Sequence, residues 1–134
     1  MENATINYLA VIVAALSDFV VGALWYSPLL FAKPWMKANG FTPEDLKKGN
    51  PAVTYTVVLV LSLVISYILA LFLGTPDTDA TRGLAVGVHA GVLAVCAMTV
   101  IALFEKRSLG YILVNSGYIF VGFVVKGLIL GAWR

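Results

Sequence analysis

The chain has 134 residues, of which 60% are hydrophobic and only 12% charged, with a formal net charge of +2. A soluble domain carries about 25% charged residues, so this composition excludes an ordinary aqueous fold. The small charge, with no basic stripe and no Arg-rich arm, excludes nucleic acid as a partner, and Cys96, the single cysteine, excludes an intramolecular disulfide.

The first apolar stretch, about residues 6–27, is preceded by Met1-Glu2-Asn3-Ala4. It lacks the positive region of a signal peptide and is too long for an h-region, so it is expected to be kept as a span. Ala10, Ala14, Ala15 and Gly22 are its small residues, and Asp18 is its one charge. Residues 28–52 form the only sizeable aqueous loop. Pro28 and Pro34 are expected to break the helix after Ser27, and residues 29–37 mix bulky apolar side chains with lysines, as a segment lying in the interface does. Thr42-Pro43-Glu44-Asp45 is a helix-start pattern that predicts a short helix to about Lys48. This loop reads either as a connector docked on the membrane or as a lid.

Further apolar stretches cover about 53–74, 83–104 and 109–130. Each exceeds the roughly 20 helical residues that cross a hydrocarbon core about 30 Å thick. The runs are continuous and do not alternate apolar with polar, so they predict helices and not barrel strands. The fold expected is all-α: an integral membrane four-helix bundle, one domain over 1–134, with a short interfacial segment in the first loop. Lys33, Lys37, Lys47, Lys48, Lys106 and Arg107 lie in the first and third loops, against Arg82 and Arg134 on the other side. The positive-inside rule then places loops 28–52 and 105–108 in the cytoplasm and both termini outside.

Close helix packing in a bilayer relies on small residues. Gly83, Gly87 and Gly91 repeat every four residues in the third span, and Gly122, Gly127 and Gly131 mark the fourth. These stripes are expected to serve packing, within the chain or in a homo-oligomer. The second span has only Ser62, Ser66 and Ala70 as small residues and is expected to be the more lipid-exposed.

Ionisable residues inside a span are functional candidates by default. Three occur. Counted at 1.5 Å per residue from the outer end of each span, Asp18 lies about 18 Å in, His89 about 9 Å and Lys126 about 7 Å. A direct Asp18–Lys126 pair must close about 11 Å of axial offset and asks both side chains to extend, so Lys126 is expected to snorkel outward as an anchor. Asn115 and Tyr118 match the depth of Asp18 better. With Gly122 and Lys126 they share one helical face. That face is expected to meet the Asp18–Gly22–Trp25 stripe, with Asp18 accepting from Tyr118 or Asn115. Asp18 reads as a structural hydrogen-bonding group or as a proton- or substrate-coupled site. His89 reads as a packing residue. No catalytic residue, metal site or cofactor is expected: no Cys/His cluster has metal spacing, and Ser62 and Ser66 have no adjacent base in sequence.

Three segments together carry a family likeness: Ile6-Asn7-Tyr8-Leu9-Ala10; Gly22-Ala23-Leu24-Trp25-Tyr26-Ser27-Pro28-Leu29-Leu30-Phe31 with Lys33 and Trp35; and Asn115-Ser116-Gly117-Tyr118 continuing to Gly127-Leu128-Ile129-Leu130-Gly131-Ala132-Trp133. The chain thereby resembles a family of small bacterial membrane proteins catalogued as domain of unknown function 1761. The resemblance implies a four-helix protein of the bacterial inner membrane and supplies no activity. Trp25, Tyr26 and Trp35, which also cluster at the depth of the proposed inner interface, are expected to form an interface aromatic motif. The function expected is a non-enzymatic membrane protein with a polar first-span/fourth-span seam for packing or small-ligand binding. The alternatives are a small proton-coupled transporter or channel using Asp18 and a lipid-active enzyme.

Overall fold

The computed structural model describes residues 5–133. The readings of residues 1–4 and of Arg134 lie outside the described residues. Within them the chain is all-α: α1 (Tyr8–Trp25), α2 (Ala32–Asn39), a 3-10 turn (Asp45–Lys47), α3 (Pro51–Phe72), α4 (Ala80–Phe104) and α5 (Leu109–Ala132). Four of these, α1, α3, α4 and α5, are long and apolar enough to cross a membrane.

Local chemistry sets most boundaries. The side chains of Asn7, Asn50, Asp79 and Ser108 each accept from a backbone N–H in the first turn of α1, α3, α4 and α5. These caps satisfy donors that a helix start otherwise leaves orphaned. Pro51 sits at N1 of α3, where its missing N–H costs nothing. The α4–α5 connection is only a few residues long. It closes because Lys106 adopts a left-handed φ of 56° and the Arg107 N–H donates to the Ala102 carbonyl at 2.9 Å.

The first loop departs from expectation in two places. Pro34 does not break a helix; it lies in the first turn of α2, where no N–H is needed. Gly40, at φ 68°, ends α2, and the Phe41 N–H returns to the Met36 carbonyl at 2.9 Å. The helix expected after Thr42 shrinks to the 3-10 turn at Asp45–Lys47. There the Asp45 carboxylate turns back on Thr42, accepting from its N–H at 2.8 Å and its hydroxyl at 3.0 Å, and only one turn forms before Lys48 goes extended. The Thr42 N–H, then the Lys48 ammonium, hold this carboxyl below its ordinary pKa.

Packing is closest between α4 and α5. The two glycine stripes face each other: a Cβ added at Gly83 would lie 2.8 Å from the Gly131 Cα, and one at Gly127 would lie 2.9 Å from the Gly87 Cα. The stripes therefore serve each other within one chain. On the other side, Ala10, Ala14 and Val11 of α1 pack on Leu69 and Ala70 of α3, with Leu130 of α5 closing the cluster.

The second span is largely exposed, as expected, apart from one buried stripe. Ser62, Ser66 and Ala70 of α3 are buried against its neighbours. The sparsest burial belongs to α4, with 11% of its apolar window buried against 22% for α3. Three evenly spaced small residues suffice for α3 to meet the alanine face of α1, whereas α4 leans almost wholly on α5.

Candidate functional site: a buried ion pair across three helices

The polar centre is assembled from α1, α3 and α5. One Asp18 carboxylate oxygen pairs with the Lys126 ammonium, and the other accepts from the Ser62 hydroxyl at 2.7 Å. The side chains of Lys126 and Asp18 are 3% and 9% exposed.

Helix geometry explains why the pair forms across an offset that looked too long. A helical Cα–Cβ bond tilts toward the helix's own N-terminus. Helices α1 and α5 run in opposite directions, so Asp18 and Lys126 lean toward each other. Gly122 then leaves the path bare: a Cβ there would lie 3.3 Å from the Asp18 Oδ1 and 3.5 Å from the Lys126 Nζ. Lys126 thus does not snorkel outward. The ammonium also lies 5.0 Å from the Phe123 ring centroid, where the aromatic face adds a cation–π contact.

The α1 and α5 faces meet, with different partners from those expected. The Tyr118 hydroxyl donates to the Asp18 backbone carbonyl at 3.3 Å and not to its carboxylate. The Asn115 carboxamide oxygen accepts from the Tyr26 hydroxyl at 2.7 Å, while its NH₂ donates to the Tyr111 carbonyl. Tyr118 and Asn115 are each engaged one layer away from the charge, while Lys126 and Ser62 supply one partner to each carboxylate oxygen.

That second layer is aromatic. The Trp25 indole N–H donates to the Val114 carbonyl at 2.8 Å, and its ring lies on Gly117, where an added Cβ would come within 2.9 Å of the indole Cη2. Tyr26 stacks tilted against Tyr118 at 5.3 Å and against Trp35 at 5.0 Å; Trp35 meets Phe41 edge-on at 5.5 Å. Trp35 thereby ties α2 to the end of the seam.

His89 stands apart. It is exposed on α4, with its ring Nδ1 2.6 Å from the Ala85 carbonyl. Cys96 is also exposed. No group of three or more His, Cys, Asp or Glu residues capable of holding a metal occurs among the described residues.

Sequence reasoning missed two participants. Ser62 was visible as one of three small residues on a common face of α3, but nothing in the linear chain placed it beside an acid. Gly117 lies within the Asn115–Tyr118 segment, and its use as a seat for Trp25 needs the helix register of both spans. Replacing Ser62 by Ala is expected to lower stability by about 1.5 kcal/mol, since a charged acceptor loses its donor. Thermal unfolding of the purified protein in detergent reads this; an unchanged midpoint would mean that the hydroxyl contributes nothing to the centre.

A four-helix chain of membrane-spanning type, with a neutralised charge pair at its centre, is the class that fold and site define. The family model described as "Protein of unknown function (DUF1761)" matches residues 9–131, and the chain belongs to that family. No curated protein and no solved structure matches it.

Proposed function

We infer that this is a non-enzymatic integral membrane protein in which the Asp18–Lys126–Ser62 centre fixes the mutual register of α1, α3 and α5. The observation that carries the reading is complementarity: a carboxylate and an ammonium, both almost wholly buried, satisfy each other, with a hydroxyl on the remaining oxygen. An intramembrane charge costs about 2.5–3.5 kcal/mol on insertion scales, and pairing removes most of the reason for either residue to seek water. The reading includes the bacterial inner membrane, with loops 28–52 and 105–108 on the cytoplasmic side, supported by the lysines of the first loop and by Lys106 and Arg107. A homo-oligomer draws no support from the glycine stripes, which α4 and α5 spend on each other.

The test is the neutral double variant Asp18→Asn with Lys126→Met. A register-fixing pair can be replaced without leaving a stranded charge, so the double variant is expected to express and to unfold within about 1.5 kcal/mol of the parent. Parent protein in vesicles bearing a pH gradient is expected to leave the gradient unchanged. Gradient collapse by the parent, lost in a folded double variant, would replace this reading with a proton-coupled one centred on Asp18.

A further inference from the structure

A second feature lies beside the Asp18 centre. Helices α3 and α4 touch only lightly, and the space between them is a groove of about 610 Å³. That volume is in the range of small-molecule sites. Its walls are apolar, with Leu69 and Phe72 of α3, Leu93 of α4 and Phe123 of α5 among them. Among the described residues, its only polar lining side chains are Arg82 and His89, both from α4, and no carboxylate lines it. Seven residues apart, these two share a helix face about 10 Å apart along the axis.

We propose that this groove binds a long-chain carboxylate from the bilayer, with its head between Arg82 and His89 and its tail along the apolar walls. Charge complementarity points to the occupant. Arg82 is a permanent cation, and its present partner, Asp77, is a loose one: 3.8 Å away, with the side chains 45% and 76% exposed. Exposed pairs of this kind contribute little and exchange readily. His89 supplies the second contact. Its Nδ1 faces a carbonyl oxygen and must therefore carry the proton, which leaves Nε2 for a ligand. A carboxyl head suits Nε2 in either protonation state: the acid O–H donates to a neutral imidazole, and the carboxylate accepts from an imidazolium. An alcohol would serve the imidazole but give Arg82 no counter-charge beyond the loose contact with Asp77. The groove shares the Phe123 ring with the Asp18 centre, but its polar groups, Arg82 and His89, take no part there, so the proposal does not rest on that reading.

The experiment uses the full-length protein in neutral detergent with a diazirine-bearing palmitate, the crosslinked peptide being located by mass spectrometry. Label is expected on α3 and α4 groove residues. Palmitate should displace it at least tenfold more effectively than hexadecanol of equal chain length. Arg82→Gln and His89→Phe should each reduce labelling at least fivefold at an unchanged unfolding midpoint. Should either variant fail to fold, Ala85→Trp, which fills the groove from an exposed position, is expected to abolish labelling. Equal competition by hexadecanol would overturn the proposal in favour of a purely apolar groove. Stronger competition by phosphatidylglycerol would overturn it in favour of a phospholipid headgroup. Labelling that falls as protein concentration rises, at fixed probe-to-protein ratio, would overturn it by assigning the groove to a second copy of the chain.

Discussion

Asp18→Asn and Lys126→Met, each made alone, are expected to destabilise the protein by about 3–5 kcal/mol, the usual cost of stranding one member of a buried pair. The two are not equivalent. In Asp18→Asn the new amide oxygen still accepts from Ser62, but the buried ammonium is left without a counter-ion. Lys126 sits on a flexible four-carbon stem and can partly relieve that cost by turning outward. Lys126→Met leaves the carboxylate with Ser62 alone, on a short side chain fixed deep in α1. The lysine variant is therefore expected to be the worse of the two. Unfolding midpoints in detergent, read against the neutral double variant, measure the coupling. If both singles behaved like the parent, the pair would contribute no net stability and the proposed register-fixing role would fall.

The second large effect is expected at the α4–α5 contact. Gly127→Ala puts a methyl group within 2.9 Å of the Gly87 Cα and 3.0 Å of its N, and the opposing atoms are backbone. No side chain can rotate away, so the two helices must separate along their length. Gly83→Ala meets the Gly131 Cα at 2.8 Å in the same way. Each substitution is expected to cost about 3 kcal/mol, the upper range for overpacking a tight interface. By contrast, Gly110→Ala, whose added Cβ meets nothing closer than the Ser108 Oγ at 3.9 Å, is expected to be neutral or slightly stabilising through helix propensity. Unfolding of the three variants side by side checks the contrast. Equal midpoints would mean that α4 and α5 are not held by the glycine contact.

The four long helices were legible because each apolar run is continuous and long enough to cross a hydrocarbon core. The glycine spacing in α4 and α5 was equally legible, since a four-residue repeat defines a face without knowledge of the partner. The centre was half legible. Asp18, Tyr118 and Lys126 do converge, with Asn115 held a layer away by Tyr26, but axial rise alone makes Lys126 look too shallow to reach Asp18. What closes the gap is the tilt of side chains on antiparallel helices and the missing side chain at Gly122. Ser62 was out of reach for a different reason: its importance is created by contact with α1, and an isolated serine on an apolar helix has no signature. Pro34 misled because the same ring that breaks a helix interior is harmless in a first turn, and its position relative to the α2 start decides between the two. His89 carries a similar lesson. A lone imidazole on an apolar helix reads as packing, and only the divergence of α3 from α4 gives it a groove to face.

The ion pair joins side chains 108 residues apart. During synthesis the acid is made long before its base: at ribosomal speeds, roughly 5–20 s separate them. For that interval the nascent chain must shelter an uncompensated carboxyl, and Ser62, emerging midway, is the first native donor it meets. A chain cut short before its last helix never completes this circuit. Such a truncated product carries its own mark of incompleteness, an acid without its base.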